Sequence, residues 1–308
     1  MRNRLLLGPV MILLLLGGLF ADEWLDGRPL PAGIGYSGKT TFPPGIIVFL
    51  IVLAISILAA RELASILAGK GIEASKRIMT VSAMAGLAVS ALVPSSLTVT
   101  DAVAAVSTAS VLVLAFAMVF YARNRTVEGV VAATGGALLS FVYLGLMFGF
   151  ILAIRREHSA WILGWVLLVT KACDIGAYFT GRAIGRHKLI PWLSPGKTWE
   201  GLAGGLVLAT VASVLGTWAL LRVGVVVGRP PLVLAALPGL LFGLVGQAGD
   251  LVESVFKRDA GTKDSGRAIP GFGGVLDVLD SPLLVAPLAY WWLVLMRQGG
   301  YLLPVDPA

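Results

Sequence analysis

Four polar residues lie on one face of a stretch that is otherwise apolar. They are spaced i, i+3, i+4 and i+7: Asp250, Glu253, Ser254 and Lys257. These positions share one side of an α-helix. Carboxylates beside a lysine, with no histidine among them, suit a hard cation such as Mg²⁺ bound to phosphates, so the stripe indicates phosphoryl chemistry. A solvated helix end can carry a similar stripe, and spacing alone leaves that alternative open.

A glycine-rich segment with two further carboxylates follows this stripe. Gly271, Gly273 and Gly274 allow the backbone to approach a ligand closely. Asp277 and Asp280 are three residues apart, so they share one face at the start of the last apolar segment. The pattern adds two acidic groups and an open backbone to the candidate phosphate site.

The basic segment 181–201 is rich in glycine and interrupted by prolines. It leads into an apolar helix, whose first backbone N–H groups would form an anion cradle with Lys197 and Thr198. The same composition also fits a patch for lipid headgroups. It is not a P-loop, because Pro191 occupies the position of the first glycine.

Lys171 and Asp174 are charged residues inside an apolar run. A charge in the middle of a bilayer costs roughly 2.5–3.5 kcal/mol on insertion scales. Lys171 and Asp174 share a helix face, with Tyr178 one turn further on. They are interpreted either as a self-neutralising pair near the interface or as one polar wall of a site that is open to the cytoplasm.

The composition is that of a chain embedded in lipid. The hydrophobic fraction is 57%, the charged fraction is 13% and the mean hydropathy is +0.89, whereas soluble domains carry about 25% charged residues. The apolar runs are long and continuous, which predicts an all-α fold, a polytopic transmembrane bundle of about nine helices. The predicted spans lie near 5–21, 46–60, 78–97, 102–122, 129–154, 160–181, 201–221, 231–251 and 283–296.

The placement of lysine and arginine predicts the orientation of the chain. With the N-terminus inside and the C-terminus outside, sixteen of these residues face the cytoplasm and seven face the exterior. The pair Arg155–Arg156 contradicts this assignment locally. Polar residues concentrate after about residue 170, so we divide the chain into a scaffold, residues 1–155, and a catalytic region, residues 156–308.

The counts of rare and charged residues argue against several other classes of site. The single cysteine, Cys173, allows no disulfide within the chain. The two histidines, His158 and His187, are too few for a typical Cys/His zinc site. The net charge of +7 is explained by basic residues on the cytoplasmic side of a membrane, and nucleic acid is not needed as a partner.

The C-terminal region resembles the phosphatidate cytidylyltransferases, or CDP-diacylglycerol synthases. Their signature reads S-x-x-K-R, four residues, K-D, then P-G-H-G-G, then D-R-x-D. The residues in register with it are Ser254, Lys257, Arg258, Lys263, Asp264, Pro270, Gly271, Gly273, Gly274, Asp277 and Asp280. The segments from Asp174 to Tyr178 and from Ser194 to Gly201 are also similar to this family. The specific resemblance covers residues 160–290.

This resemblance implies transfer of CMP from CTP to phosphatidic acid, giving CDP-diacylglycerol and pyrophosphate for phospholipid synthesis. The implied partners are CTP, phosphatidic acid and membrane lipid, without nucleic acid, and a homodimer is left open. The implied location is a bacterial-type inner (plasma) membrane, with the active site facing the cytoplasm. The implied cofactor is Mg²⁺, with a second cation left open.

The resemblance also implies roles for individual residues. The metal site would be formed by Asp250, Asp277 and Asp280, with Lys257 as a further catalytic group facing the phosphates beside Ser254. Asp264 would orient Lys263. The implied substrate-binding residues are Ser194, Lys197, Thr198, Ser254, Arg258, Lys263, Asp264, Gly273 and Gly274.

Two positions depart from the signature. Phe272 replaces a histidine and Val278 replaces an arginine. We nevertheless expect activity, because every carboxylate and lysine of the signature is kept. The competing hypotheses are a polytopic transporter, an enzyme that joins CDP-diacylglycerol to an alcohol, and a catalytically inactive paralogue of the same family. The usual aspartate-rich pattern of the second class, with D-G-x-x-A-R, is absent from the sequence.

Overall fold

A computed structural model describes residues 2–30, 40–92, 98–123, 127–262, 265–266 and 273–302. Within these ranges the chain forms nine helices and one two-stranded hairpin. The helices are α1 (Arg2–Leu25), α2 (Ile46–Gly69), α3 (Lys76–Leu92), α4 (Val99–Ala122), α5 (Val130–Glu157), α6 (Ala160–Ile184), α7 (Trp199–Arg222), α8 (Leu232–Asp259) and α9 (Leu276–Gln298). The antiparallel strands β1 (Lys188–Ile190) and β2 (Ser194–Thr198) connect α6 to α7.

The predicted all-α, polytopic architecture is confirmed. Eight of the described helices are long and apolar enough to cross a membrane. The remaining helix, α3, has 17 residues. Its predicted span reached residue 97, and residues 93–97 lie outside the described ranges.

Three helices extend well beyond their predicted spans. Helix α2 continues to Gly69 and α8 continues to Asp259, whereas the predicted spans ended at 60 and 251. Helix α9 begins at Leu276, whereas its predicted span began at 283. Hydropathy declines at polar residues such as Glu62, Asp277 and Asp280, but helical hydrogen bonding continues through them. The parts that hydropathy missed are therefore the parts that carry these carboxylates.

Ion pairs near the ends of the helices indicate which ends lie on the same side of the bundle. At one face, Arg155 pairs with Asp26 at 2.5 Å, and Arg297 pairs with Glu157 at 2.9 Å. At the other face, Lys70 pairs with Asp259 at 3.0 Å. These contacts join the C-terminal ends of odd-numbered helices to one another, or the C-terminal ends of even-numbered helices to one another. This is the alternation that the predicted topology requires, and the assignment of one face to the cytoplasm stays a prediction.

The local exception at Arg155 is explained by its partners. Its side chain is 2% exposed and contacts the fully buried carboxylate of Asp22, which follows the first predicted span. Asp22 also accepts hydrogen bonds from the backbone N–H groups of Ile47 and Val48, at the start of α2. Arg155 therefore belongs to a buried ion cluster that joins α1, α2 and α5, so its charge is neutralised within the protein.

Close backbone contacts at glycines hold the helices around the site together. A Cβ atom at Gly205 of α7 would lie 2.6 Å from the carbonyl oxygen of Cys173 on α6. A Cβ atom at Gly176 of α6 would lie 2.9 Å from the carbonyl oxygen of Gly204 on α7. Small residues allow membrane helices to approach in this way. Helices α6 and α7 therefore form a tight pair beside α8, and the hairpin projects from their shared end.

Candidate active site

Lys197 brings the hairpin to the candidate site. It lies on β2, and its Nζ is 2.8 Å from Oδ2 of Asp250 and donates to Oε1 of Gln247 at 2.9 Å. Both partners lie on α8. The structure thus places a lysine predicted to bind phosphate directly against a predicted metal ligand.

Lys171 and Asp174 join the same network. Their ion pair is 3.1 Å long, which confirms that the two charges neutralise each other. Each also has a second partner: Lys171 lies 3.7 Å from Asp280, and Asp174 accepts from Nε2 of Gln247 at 3.0 Å. The pair therefore forms one wall of the site. Tyr178 takes no part in these contacts, because its hydroxyl accepts from Arg182 at 3.1 Å.

Three carboxyl groups converge between α8 and α9. Asp250, Glu253 and Asp280 each offer an oxygen within 4.8 Å of the other two. Glu253 is 1% exposed, and its Oε1 has no hydrogen-bond partner among the described residues. A buried carboxylate oxygen without a partner is costly. Sequence reasoning placed Glu253 on the polar stripe but did not name it as a ligand.

Lys257 connects this group to Asp277. Its Nζ is 2.6 Å from Oε2 of Glu253 and 2.8 Å from Oδ1 of Asp277. The lysine side chain is 13% exposed, so its charge is largely neutralised by carboxylates on two helices. The helical spacing that placed Glu253 and Lys257 on one face is therefore confirmed.

Asp277 is held by the glycine-rich segment. Its Oδ2 accepts from the backbone N–H of Gly274 at 2.6 Å and from the hydroxyl of Ser265 at 2.7 Å. Gly273 has a φ of +100°, and a Cβ atom there would lie 2.5 Å from Oδ2 of Asp277. A glycine is needed at this position for both reasons. Asp277 thus lies at the edge of the site with both oxygens in use, and its predicted role as a metal ligand stays a prediction.

Glu62 of α2 reaches the same segment from the N-terminal part of the chain. Its carboxylate accepts from the backbone N–H groups of Val275 at 2.9 Å and Leu276 at 3.0 Å. It also lies 3.4 Å from the hydroxyl of Ser265. A Cβ atom at Gly274 would lie 2.5 Å from Oε2 of Glu62. Glu62 therefore fixes the start of α9, the helix that carries Asp277 and Asp280. No spacing rule in the sequence pointed to this contact.

The remaining predicted substrate-binding residues lie beside the network. Thr198 is buried, and its Oγ1 accepts from the backbone N–H of Gly201 at 3.1 Å to cap α7. Arg258 donates from Nε to the carbonyl oxygen of Leu193 at 3.3 Å. Ser194 pairs with Ile190 across the hairpin, and Ser254 is buried on α8. Their roles toward substrate stay predictions.

Several predicted positions lie outside the described residues. They are Lys263, Asp264, Pro270, Gly271 and Phe272. Val278, the other departure from the signature, is half-buried in the first turn of α9.

Carboxyl groups outnumber lysines in the described network. The carboxyl groups are those of Glu62, Asp174, Asp250, Glu253, Asp277 and Asp280, and the lysines are Lys171, Lys197 and Lys257. An excess of negative charge would repel a polyphosphate. Hard cations prefer oxygen ligands of this type and bind phosphates at the same time, so a cation bound here would reduce that repulsion.

Comparison with known proteins gives this site a family context. The sequence model of the Cytidylyltransferase family matches residues 34–296. A phosphatidate cytidylyltransferase of Bacillus subtilis (strain 168) is 39% identical over 164 residues, which are 52% of this chain and 58% of that protein. One from Staphylococcus haemolyticus is 40% identical over 160 residues, 49% of this chain and 55% of that protein.

An Escherichia coli K12 protein named YnbB, described as uncharacterised, is 37% identical over 163 residues, 48% of this chain and 52% of that protein. The chain therefore spans just over half the length of the curated relatives it matches. The family match is broader, since it includes α2 as well as the hairpin, α8 and α9. On this evidence the chain belongs to the Cytidylyltransferase family.

Proposed function

We propose that this protein transfers CMP from CTP to phosphatidic acid, giving CDP-diacylglycerol and pyrophosphate. The observation that carries the proposal is the meeting of three regions in one network. Lys197 comes from the hairpin, Asp250 and Lys257 come from α8, and Asp280 comes from α9. These regions contain the residues on which the family resemblance rests, and together they offer the charges that a nucleotide triphosphate needs.

The lysines and carboxylates can position the reacting groups. Lys197 and Lys257 lie on either side of the acidic group and are placed to neutralise phosphate oxygens. In the proposed reaction an oxygen of the lipid phosphate forms a bond to the α-phosphorus of CTP. The bond from that phosphorus to the oxygen bridging to the β-phosphate breaks, and pyrophosphate leaves with its electron pair. The lipid phosphate is ionised at neutral pH, so it needs no general base.

The proposal includes a Mg²⁺ ion on Asp250, Glu253 and Asp280. The buried, unpartnered Oε1 of Glu253 and its closeness to two other carboxylates fit a hard cation. When bound, such an ion supplies charge neutralisation at the phosphate oxygens. Asp277 accepts from Lys257, Ser265 and Gly274, and a carboxylate oxygen that accepts such a bond has a second lone pair with which it could also bind the ion.

An assay on the purified full chain tests the proposed reaction. The protein, in detergent micelles that contain phosphatidic acid, is given CTP and Mg²⁺, and CDP-diacylglycerol and pyrophosphate are measured. We expect both products in equal amounts. Absence of product from protein that is monodisperse and helical, across a range of Mg²⁺ and lipid concentrations, would contradict the proposal.

The inactive-paralogue hypothesis is tested in the same assay. The argument for an active enzyme is that every carboxylate and lysine of the signature is present. A wild-type protein that makes no product, together with a Phe272→His variant that does, would favour the inactive paralogue. A transporter would place its polar groups near the bilayer midplane between related halves. Here the network includes Lys197, Ser265 and Gly274 from connecting segments at one face.

Substitution of Glu62 is expected to lower activity because Glu62 positions α9, although its side chain is not proposed to contact substrate. In Glu62→Gln an amide N–H₂ replaces one oxygen and faces a backbone N–H or the Ser265 hydroxyl. Loss of such hydrogen bonds costs roughly 1–3 kcal/mol, and a misplaced α9 should lower kcat/KM about tenfold. Kinetics of CDP-diacylglycerol formation and thermal unfolding are measured together.

The control for Glu62 is Glu73→Gln, an exposed glutamate in the segment after the same helix. We expect this variant to behave as wild type. A Glu62→Gln variant whose melting temperature falls while its kcat and KM stay unchanged would show a purely structural contact. Equal effects of both substitutions would remove the positioning role.

The proposed function also requires that the site face the cytoplasm, where CTP is present. The only natural cysteine, Cys173, is buried, so added cysteines can be labelled selectively. We expect Pro195→Cys and Thr262→Cys to react with a membrane-impermeant maleimide in inverted vesicles and not in intact cells. Val223→Cys, after α7, should show the opposite pattern. Labelling of Pro195→Cys in intact cells would contradict both the topology and the use of CTP.

A further inference from the structure

The hairpin between α6 and α7 has a surface that the proposed reaction does not use. Both flanking helices are membrane spans, so the hairpin lies where the bundle leaves the bilayer. One side of it carries Lys197 into the site. Other parts of the hairpin are exposed, namely Lys188 on β1 and Pro191 and Trp192 in the turn, whereas Leu193 at the end of the turn is buried.

Large apolar side chains are exposed on this outer surface. Trp192, in the turn, is 79% exposed and is the most exposed of the eight tryptophans. Trp199 at the start of α7 is 58% exposed and Ile184 at the end of α6 is 61% exposed. Tryptophan is enriched where membrane meets water, because its ring is apolar and its N–H group needs a polar partner.

Basic side chains surround this apolar surface. Arg182, Arg186 and Lys188 are all exposed, and none of them forms an ion pair with a carboxylate among the described residues. The nearby carboxylate of Glu200 is occupied by His187, at 2.6 Å. The hairpin therefore presents an excess of positive charge beside exposed tryptophan, with Glu200 as the nearby carboxylate.

We propose that the hairpin docks on anionic phospholipid headgroups of the adjacent leaflet, with Trp192 inserted at the interface. Charge complementarity selects the partner, because clustered Lys and Arg beside a membrane attract anionic lipids. The combination with an aromatic anchor fits a lipid surface better than a dissolved anion, which offers nothing to Trp192. The docking is independent of CMP transfer.

The docking surface is connected to the candidate active site through the hairpin. Residues 191–193 connect β1 to β2, which carries Lys197, and the carbonyl oxygen of Leu193 accepts from Arg258 on α8. Headgroups held at the hairpin thus lie close to the candidate active site, at the membrane face from which an anionic lipid substrate would enter.

The test uses the full chain with a fluorophore at Pro191→Cys, next to Trp192, which is kept. Cys173 is buried and position 191 is exposed, so the label attaches at one place and disturbs little packing. The protein is reconstituted without CTP in vesicles of phosphatidylcholine, with or without phosphatidylglycerol, that contain lipids brominated near the headgroup. We expect quenching of the fluorophore to be at least about twofold stronger with phosphatidylglycerol, and to weaken in salt.

Matched double variants show whether the hairpin charges are responsible. Arg186→Gln/Lys188→Gln should abolish the phosphatidylglycerol dependence. Lys76→Gln/Arg77→Gln removes two exposed charges from α3 on the same membrane face and should leave it intact. Equal quenching in both lipids, or equal effects of the two double variants, would overturn the proposal.

Inorganic phosphate at matched ionic strength should not reverse the quenching. Reversal would identify a free anion as the ligand and would also overturn lipid docking. Because the readout needs no turnover, a chain that docks but makes no CDP-diacylglycerol would disprove only the proposed reaction. A chain that makes product without docking would disprove only this inference.

Discussion

Asp280→Asn and Asp277→Asn are each expected to lower kcat at least about 100-fold in protein that still inserts into the membrane. Asp280 shares the acidic group with Asp250 and Glu253. Loss of a carboxylate from a catalytic metal site should remove several kcal/mol of charge stabilisation, and each 1.36 kcal/mol is about tenfold in rate. Turnover is measured as CDP-diacylglycerol formed at saturating CTP over a titration of Mg²⁺.

The two variants should differ in their response to Mg²⁺. Asp280→Asn weakens the proposed cation site directly, so excess Mg²⁺ should recover part of its activity. Asp277 is engaged by Lys257, Ser265 and Gly274, so the loss in Asp277→Asn should be less sensitive to Mg²⁺. The control is Asp259→Asn on α8, whose exposed carboxylate pairs only with Lys70 in the described part of the chain. Near wild-type turnover of Asp280→Asn would show that its carboxylate is structural.

Replacing Arg155 is expected to cause the largest loss of stability. Arg155→Gln leaves the buried carboxylate of Asp22 without its cationic partner. Breaking a buried ion pair by removing one partner costs about 3–5 kcal/mol. The measurement is denaturant unfolding in detergent. Arg156→Gln is the matched control, because Arg156 is the exposed neighbour and its side chain donates to the carbonyl oxygen of Ala91; we expect a loss below about 1 kcal/mol.

The loss in Arg155→Gln should also depend on pH. Burial already raises the pKa of Asp26, and Arg155 opposes that rise. Without Arg155 the pKa of Asp26 in the folded protein should rise further above its value in the unfolded chain. The deficit should therefore shrink as the pH falls and be largest at neutral pH. A deficit that is small, or equal to that of Arg156→Gln, would show that the cluster contributes little.

Periodicity and hydropathy were sufficient to locate the helices, though not their ends, and to place one face of the site. The spacing of Asp250, Glu253 and Lys257 places them on one side of α8, since helical geometry is local. The start of α9 was missed by hydropathy because Asp277 and Asp280 make its first turns polar. Apolar content locates the part of a helix in lipid, whereas hydrogen bonding decides where the helix begins.

Contacts between distant segments could not be predicted in the same way. Arg155 read as an exception to the charge rule, because its partners Asp22 and Asp26 are more than a hundred residues earlier in the chain. Gln247 was not named, although its amide links Lys197 to Asp174. Gln247 lies three residues before Asp250 and so extends the same polar stripe by one turn, but its partners depend on which helix packs against it.

The contact from Glu62 to the start of α9 has a consequence for biosynthesis. Helix α2 enters the membrane long before α9 has been translated. During that time the Glu62 carboxylate lacks the hydrogen bonds from the backbone N–H groups of Val275 and Leu276. Glu62 on α2 can contact the glycine-rich segment only when α9 is inserted. Completion of the site is thus a late event of assembly, and the segment 160–290, excised from the chain, would lack the acceptor that holds α9 in register.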